Sequence, residues 1–398
     1  MRRQAVQLFF ITILLLLHTS TGYGVQKVDI ETGAEQLDRY IPMLKNKRVG
    51  LLINQTSVIG DRSLLDVLLE KHINVVKIFV PEHGFRGTAD AGAHINNAVD
   101  KQSGLPIISL YGNNKKPAAA QLKDIDILVY DLQDVGARFY TYISTLQYAM
   151  EACADNGKKI MVLDRPDPNG FYVDGPILDK IHSSFVGMQP VPVVYGMTAG
   201  EYAKMLVGEQ WLATAKKPEL TVIPCSNYDH TKKYELPVAP SPNLKTMAAI
   251  YLYPSLCFFE GTPVSVGRGT DKPFQQWGHP DFKGKTNYFF IPKSKEGASK
   301  PLLEGQDCWG KLLAVNEKEA LDKVKNGLNL EWLIQAYKWY PDKEKFFSGF
   351  FEKLAGTSQL REQIDEGLTA EEIRAKWQND IDAFKKIRKK YLLYPDFE

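Results

Sequence analysis

Short runs of apolar residues alternate with amphipathic segments along the first half of the chain. The runs are apolar at nearly every position, which is typical of strands covered on both faces of a parallel sheet. Strands are predicted over 47–54, 75–80, 105–110, 126–130 and 159–163, and helices over 63–72, 141–155 and 198–212. Strands that alternate with helices indicate parallel βαβ units. We therefore predict an α/β fold, with a Rossmann-like, doubly wound parallel sheet in a first domain over 25–212.

The pattern changes after residue 212. A strand is predicted at 220–224, and helical patterning returns at 317–325, 330–337 and 370–392. We predict a domain boundary here and a smaller, auxiliary C-terminal domain of mixed α/β structure over 213–398. The basic run at 385–390 lies on the last predicted helix, where it is expected to form a solvated face.

Residues 1–24 differ from the rest of the chain. Arg2 and Arg3 precede an apolar run from Leu8 to Leu17, and small residues follow up to Gly24. This pattern is typical of a secretory signal peptide and is too short to predict a membrane span. We expect export to the periplasm or the cell exterior, with no stable membrane anchor after cleavage. An uncleaved anchor is the alternative.

The composition and the absence of certain motifs argue against several classes of function. The formal net charge of +2 over 398 residues argues against a nucleic-acid partner. The four cysteines are widely spaced, so buried free thiols are expected rather than a zinc or redox motif. No glycine-rich nucleotide motif follows the first strand, no lysine phosphate loop occurs, and no G-x-S-x-G elbow is present. We predict no cofactor, and the sequence does not specify an oligomeric state.

The strand at 75–80 ends in Pro81, Glu82, His83 and Gly84. In parallel α/β sheets, ligands bind at the carboxyl ends of the strands. Glu82 is therefore the first candidate for a catalytic group, with His83 as a substrate contact. The alternative is that both residues only cap the turn. A metal site built from Glu82, His83, Asp90 and His94 matches no known ligand spacing, so no metal is predicted.

Polar side chains follow each of the other predicted strands as well. If the strands are parallel, these groups gather along one edge of the sheet and form a pocket of carboxylates, amides and aromatic rings. Such a pocket suits carbohydrate chemistry, because glycoside cleavage needs an acid and a group that supports the oxocarbenium-like transition state. The candidates from this edge are Asn54, Gln55, Asp131, Asp134, Asp164 and Asn169.

Further candidates lie before a helix and in the second half of the chain. Arg138 could hold a substrate carboxylate or pair with Asp134. Tyr140 could face a sugar ring or pack in the core. In the second half, Asn243, Glu260 and Arg268 stand in polar turns. Glu260 is the second carboxylate candidate and Arg268 a candidate anion anchor, each with a structural role as the alternative.

Several sequence blocks together resemble the NamZ/YbbC-type exo-β-N-acetylmuramidases, a family formerly classed as a domain of unknown function. The blocks are GLLINQT at 50–56, PEHGFRG at 81–87, DLQDVGARFYTY at 131–142, DRPDPNG at 164–170, SPNL at 241–244 and FEGT at 259–262. The resemblance implies an exo-acting glycoside hydrolase that releases N-acetylmuramic acid from the non-reducing end of peptidoglycan fragments. It also implies a site between a Rossmann-like domain and a smaller C-terminal domain, with Glu82 as the catalytic glutamate.

A substrate of this kind suggests roles for other candidates. The sugar's 2-acetamido group could act as the nucleophile, an accepted exception to the two-carboxylate scheme, if Asp131, Asp134 or Tyr140 orients it. The lactyl carboxylate would need a cation such as Arg138 or Arg268. Two other functions stay open from the sequence: a non-catalytic exported protein that binds cell-wall sugars, and an esterase or amidase that acts on cell-wall substituents.

Overall fold

The first part of the molecule is built on a seven-stranded sheet. The computed structural model describes residues 29–82, 85 and 98–398. In chain order, the elements of the first part are α1 (Leu37–Leu44), β1 (Val49–Ile53), β2 (Val58–Ile59), β3 (Arg62–Ser63), α2 (Leu64–Glu70), β4 (Val75–Val80), β5 (Ala98–Val99), β6 (Pro106–Ser109), α3 (Ala119–Leu122), β7 (Ile127–Asp131), α4 (Tyr142–Asp155), β8 (Lys159–Leu163), α5 (Ala199–Gly208) and β9 (Glu219–Ile223).

The strand order in this sheet is β5-β6-β4-β1-β7-β8-β9. All neighbouring pairs are parallel except β5 with β6. The chain runs outward from β1 through β4 to β6, and then returns to the other side of β1 with β7, β8 and β9. This is the doubly wound arrangement, so the predicted fold class is confirmed. Ligands of such sheets bind beside the strand ends where the winding reverses, here between β1 and β7.

Successive residues of the central strand enter two different cores. Val49, Leu51 and Ile53 pack with α1 and α2 on one face of the sheet. Leu52 packs on the opposite face, in the core that contains the inward sides of α4 and α5. Both faces are therefore covered, which explains why the strand is apolar at every position.

The sheet extends beyond residue 212, where we placed the domain boundary. Strand β9 pairs with β8 in parallel, from Lys159 opposite Glu219 to Leu163 opposite Ile223. The predicted strand at 220–224 is therefore present, but it belongs to the first part of the molecule. The change of sequence pattern after residue 212 marks the irregular connection between α5 and β9.

The C-terminal part combines a small antiparallel sheet with helices, as predicted. Strand β12 lies between β10 and β11. The elements are α6 (Met247–Leu256), β10 (Gln276–His279), β11 (Tyr288–Phe290), β12 (Cys308–Leu312), α7 (Glu317–Val324), α8 (Glu331–Trp339), α9 (Gly349–Ala355), α10 (Gln359–Asp365) and α11 (Ala370–Arg388).

The two parts share one hydrophobic core. A single cluster of buried residues contains Leu146 of α4, Tyr202 of α5, Leu252 of α6, Trp277 of β10 and Phe384 of α11. The C-terminal part is therefore packed onto the first part along the face that carries α4 and α5. It is not an appendage with a separate core.

The basic run at the end of α11 is not the uniformly solvated face that we expected. Arg388 is 1% exposed. Its Nε donates to the Gly196 carbonyl at 2.8 Å, and its two terminal nitrogens donate to the Asp396 carboxylate at 2.7 and 2.9 Å. Arg388 therefore fastens the last helix to the first part of the molecule.

The cysteine prediction is confirmed, since Cys153, Cys225, Cys257 and Cys308 are all buried and free. Within the described part of the chain, none of the helices has the length and hydropathy needed to span a bilayer. The predicted signal peptide at 1–24 lies outside the described residues.

Candidate active site

A cleft of about 940 Å³ lies where the carboxyl edge of the large sheet meets the C-terminal part. Its volume is at the upper end of the roughly 300–1,000 Å³ found for small-ligand sites. Both parts of the molecule contribute to its walls, so the C-terminal part is not merely auxiliary. The charged residues that line the cleft are Glu82, Lys115, Glu260, Arg268, Lys300 and Lys353.

Glu82 reaches this cleft because it follows the carboxyl end of β4 by two residues. The side chain is half-buried. Thr141, which precedes α4, donates its hydroxyl hydrogen to Glu82 Oε2 at 3.1 Å. The catalytic candidate is thus held by a group from the neighbouring β7–α4 connection. His83, the other candidate from this turn, lies outside the described residues.

Tyr140 lines the cleft, whereas Asn54 and Gln55 support its wall from behind. The hydroxyls of Tyr140 and Tyr142 donate to the Pro240 carbonyl at 2.8 and 3.2 Å. Gln55 Nε2 donates to the same carbonyl at 3.1 Å, and Asn54 Nδ2 donates to the Tyr142 hydroxyl at 2.8 Å. Burial raises the pKa of Tyr140 well above its ordinary value. These contacts fasten the 239–241 segment to the edge of the sheet.

Four largely buried aromatic residues form a continuous series of ring contacts at the cleft wall, which we call the aromatic floor. Tyr142 contacts Tyr140 edge to face, with ring centroids 4.7 Å apart. Tyr140 contacts Tyr253 at 6.0 Å, and Tyr253 contacts Phe274 at 5.0 Å. All four rings line the cleft. The three tyrosines combine an apolar ring with a polar hydroxyl, a combination that suits a sugar.

At the far end of the aromatic floor, Arg268 pairs with Glu260. Nε and Nη2 of Arg268 lie 2.7 and 2.6 Å from Glu260 Oε1. The guanidinium carbon is 5.0 Å from the centroid of the Phe274 ring. Burial opposes the charge of Arg268, but the Glu260 carboxylate outweighs this effect and raises the pKa of Arg268. Both candidates from the second half therefore lie in the cleft, next to each other.

Asn243, the remaining candidate from the second half, does not line the cleft. Its side chain is buried, and its Nδ2 donates to the Gly297 carbonyl at 2.8 Å. Gly297 begins the 297–302 segment that forms part of the cleft wall. Asn243 therefore supports this wall.

Asp131, expected to be catalytic, is fully buried away from the cleft. It shares the sheet face of Ile127 and Val129, because side chains alternate along a strand. Its two carboxylate oxygens accept hydrogen bonds from Arg165 at 2.5 and 2.9 Å. Its place in the structure is a buried ion pair, and the expected role in orienting the acetamido group does not fit.

Asp134 is also buried outside the cleft. Its Oδ2 accepts hydrogen bonds from the Tyr195 hydroxyl and, at 2.8 Å, from the Gly136 amide. Its Oδ1 is buried without a hydrogen-bond partner among the described residues. Burial raises the pKa of Asp134 to about 6. The expected contact with substrate does not fit this position either.

Asp164 and Asn169 have internal partners as well. Asp164 accepts hydrogen bonds from the Thr198 hydroxyl at 2.6 Å and from the Gly200 amide at 2.8 Å, at the start of α5. Burial raises the pKa of Asp164 to about 6. Asn169 Nδ2 donates to the Ile250 carbonyl at 3.1 Å and so links β8 to α6. Neither side chain lines the cleft.

Arg138 is not in a position to bind a substrate carboxylate. It is 1% exposed and donates to four backbone carbonyls: Pro176 and Val191 at 2.9 and 2.7 Å, and Leu354 and Ala355 at 2.9 and 2.7 Å. Burial lowers the pKa of Arg138 to about 9. The expected pairing with Asp134 is not found among its contacts, and Arg138 instead ties the end of α9 to the first part.

Several residues in the cleft were missed by the sequence analysis. Thr141 has a local signal, because it is the first residue of a predicted helix and lies within the aromatic block at 139–142. Tyr253 lies in an apolar, aromatic segment that is typical of a core, and Phe274 lies in a segment rich in glycine and turn residues. Lys300 and Lys353 are exposed. The sequence around an exposed lysine does not indicate which residues lie near it in the fold.

A cleft with two carboxylates, an arginine held by an ion pair and an aromatic floor is of the kind found in glycoside-binding enzymes. Two family models match the chain: Exo-beta-N-acetylmuramidase NamZ, N-terminal, over residues 49–248, and Exo-beta-N-acetylmuramidase NamZ, C-terminal, over residues 251–394. The chain belongs to the NamZ family, so the resemblance noted in the sequence is confirmed.

The similarity extends to characterised and solved relatives. A Bacillus subtilis (strain 168) protein described as peptidoglycan beta-N-acetylmuramidase NamZ is 38% identical over 413 residues, which cover 97% of this chain and 98% of that protein. Two solved DUF1343 family proteins from Bacteroides fragilis NCTC 9343 share the fold. One is 50% identical, with a TM-score of 0.86 and coverage of 93% and 100%. The other is 31% identical, with a TM-score of 0.78 and coverage of 92% and 99%.

Proposed function

We propose that this chain is an exo-acting β-N-acetylmuramidase that releases N-acetylmuramic acid from the non-reducing end of peptidoglycan fragments. The observation that carries the proposal is Glu82, a carboxylate held by Thr141 in a cleft with an aromatic floor. Membership of the NamZ family and the described activity of the Bacillus subtilis relative support it.

In the proposed reaction, Glu82 is the general acid. The acetamido oxygen of the sugar attacks the anomeric carbon while the bond from this carbon to the leaving oxygen breaks. Glu82 gives its proton to the leaving oxygen, and an oxazolinium ion forms. Water then attacks the anomeric carbon, the bond from this carbon to the acetamido oxygen breaks and restores the acetamido group, and the Glu82 carboxylate takes the proton that the water loses. Of the groups expected to orient the acetamido group, Tyr140 alone lines the cleft, so we assign this role to Tyr140.

The proposal includes export. The basic and apolar pattern of residues 1–24 supports a cleaved signal peptide and a periplasmic or extracellular location. Mass analysis of the N-terminal peptide of the exported protein tests this. Cleavage near Gly24 supports the proposal, and an intact N-terminus on membrane-bound protein would contradict it.

The test of Glu82 uses two substrates with different leaving groups. We expect Glu82→Gln to lose about 10²- to 10⁴-fold in kcat on a disaccharide of N-acetylmuramic acid and N-acetylglucosamine. The loss should be smaller on an aryl β-N-acetylmuramide, because a phenolate leaves with less help from an acid. Glu344→Gln, in an exposed 3-10 helix over Lys343–Lys345, is the matched control and should have the wild-type rate.

Two outcomes would contradict the proposal. An unchanged rate for Glu82→Gln on the disaccharide would remove Glu82 from the acid role. Wild-type protein that binds the sugar but releases nothing would be a non-catalytic sugar-binding protein. Mass analysis of the products separates glycoside cleavage from ester or amide cleavage.

A further inference from the structure

We propose that Arg268 binds the lactyl carboxylate of the muramic acid ring, held in place by Glu260 and Phe274. The inference rests on the proposed function and deepens it. N-acetylmuramic acid differs from N-acetylglucosamine by a lactyl ether that carries a carboxylate. A site that selects the first sugar therefore needs a cation placed to contact this group.

The sequence offered Arg138 and Arg268 for this role, and the two guanidinium groups have different surroundings. The guanidinium of Arg138 is occupied by four backbone carbonyls and is buried outside the cleft. Arg268 lines the cleft, and its side chain remains 24% exposed. A ligand in the cleft can reach Arg268 and cannot reach Arg138.

The geometry of Arg268 leaves one edge for a ligand. Glu260 Oε1 accepts a hydrogen bond from Nε at 2.7 Å and lies 2.6 Å from Nη2 in the ion pair. The Nη1 group makes no hydrogen bond to any residue that the structure describes. The edge formed by Nη1 and the second Nη2 hydrogen is the arrangement that grips a carboxylate through two parallel hydrogen bonds. Glu260 and the Phe274 ring fix the plane of the guanidinium, so little rotational freedom is lost when the ligand binds.

The other cations of the cleft are held less firmly. Lys300 and Lys353 are exposed, and Lys115 Nζ lies 4.5 Å from the centroid of the Phe185 ring. A lysine ammonium is a mobile point charge without the planar fork of arginine. We propose that the three lysines attract an anionic sugar toward the cleft. This long-range attraction weakens as the salt concentration rises.

The aromatic floor links the two ends of the proposed site. Thr141, which holds Glu82, precedes Tyr142 at one end, and Phe274 lies under Arg268 at the other. In our proposal the sugar ring lies on this floor, with its glycosidic oxygen at Glu82 and its lactyl group at Arg268. The same placement directs the acetamido group, on the carbon between these two substituents, toward Tyr140.

The experiment removes the charge from Arg268 by substitution and the charge from the lactyl group by using an uncharged substrate. Wild type, Arg268→Gln and Arg268→Lys are compared on an aryl β-N-acetylmuramide, on its lactyl amide and on the matching β-N-acetylglucosaminide. We expect Arg268→Gln to lose roughly 10- to 100-fold in kcat/KM on the muramide, and less than about threefold on the two uncharged substrates. Arg268→Lys should recover only part of the loss, because it keeps the charge without the fork.

The controls separate Arg268 from its neighbours. Lys115→Met, Lys300→Met and Lys353→Met should each lower kcat/KM on the muramide by no more than about threefold, and added salt should remove this difference. Glu260→Gln should raise KM for the muramide and leave the glucosaminide unchanged, as expected for a positioning residue. Thermal unfolding of each variant verifies that it is folded.

Calorimetric binding of free N-acetylmuramic acid and N-acetylglucosamine separates this inference from the proposed function. Absence of turnover together with Arg268-dependent binding of N-acetylmuramic acid would refute the muramidase activity and keep the assignment of Arg268. If Arg268→Gln retains the wild-type preference for the carboxylate in both turnover and binding, the assignment is wrong. A large loss in one of the lysine variants instead would move the carboxylate contact to that lysine.

Discussion

At the scale of single residues, Asp134 is a buried carboxylate with no cationic partner among the residues that the structure describes. Asp134 Oδ1 has no hydrogen-bond partner among the described residues, and burial raises the pKa of Asp134 to about 6. An aspartate in an unfolded chain has a pKa of about 3.9. The folded state therefore binds this proton more tightly than the unfolded state does. The contribution of Asp134 to the free energy of unfolding falls as the pH rises from about 4 to about 6, and it stays low above this range.

Asp134→Asn should remove this pH dependence, because the amide is neutral and keeps the oxygen that accepts from Gly136. A pKa difference of this size corresponds to about 3 kcal/mol. We expect the fall in the free energy of unfolding between pH 4.5 and pH 7.5 to be smaller by about 2 kcal/mol in the variant. Urea unfolding at both pH values measures it. Asp38→Asn, on the exposed side of α1, is the control, and equal slopes in the two variants would contradict the account.

At the scale of elements, Arg138 joins the end of α9 to the loops of the first part. Arg138→Met would remove the side-chain donor from four backbone carbonyls, and we expect a loss of about 3 kcal/mol in the free energy of unfolding. The preference for the muramide over the glucosaminide should stay at the wild-type ratio, because Arg138 lies outside the cleft. Arg361→Met, which breaks a surface ion pair with Glu352, should cost less than about 1 kcal/mol. A change of substrate preference in Arg138→Met would show that its role is not purely structural.

The elements themselves were largely predictable, and the contacts of their polar residues were not. Continuous apolar runs gave the parallel strands, because burial on both faces leaves a pattern in the sequence itself. Arg138 stands beside aromatic residues before a helix and Arg268 stands between two glycines, and neither setting indicates which arginine is buried. The carbonyls that occupy Arg138 come from residues as distant as Leu354 and Ala355. The same holds for Asp131, since its partner Arg165 lies on a different strand connection.

The position of the boundary between the two parts was also not predictable from the sequence pattern. The sequence changes character after residue 212, but the sheet acquires its last strand at 219–223. The two family models meet between residues 248 and 251, near the start of α6. A sequence pattern reports exposure along the chain, whereas a domain boundary depends on which surfaces pack together. Here the cleft and the main core are both built from the two parts.

At the scale of the whole molecule, the shared core predicts that both parts unfold together. Five of the six tryptophans lie in the C-terminal part, so tryptophan fluorescence reports mainly on that part. Far-UV circular dichroism reports on both parts. The six tryptophans are Trp211, Trp277, Trp309, Trp332, Trp339 and Trp377. We expect urea transitions followed by the two probes to have the same midpoint, because a single buried cluster spans both parts.

A variant at the contact between the parts makes this test sharper. Asp174, in the first part, accepts hydrogen bonds from the Leu328 amide at 2.8 Å and from Trp377 Nε1 at 3.1 Å. Asp174→Ala should lower both midpoints by the same amount, since the lost contacts stabilise one cooperative unit. If the fluorescence midpoint moved away from the circular dichroism midpoint, the two parts would be separate folding units, and the cleft between them would depend on how they dock.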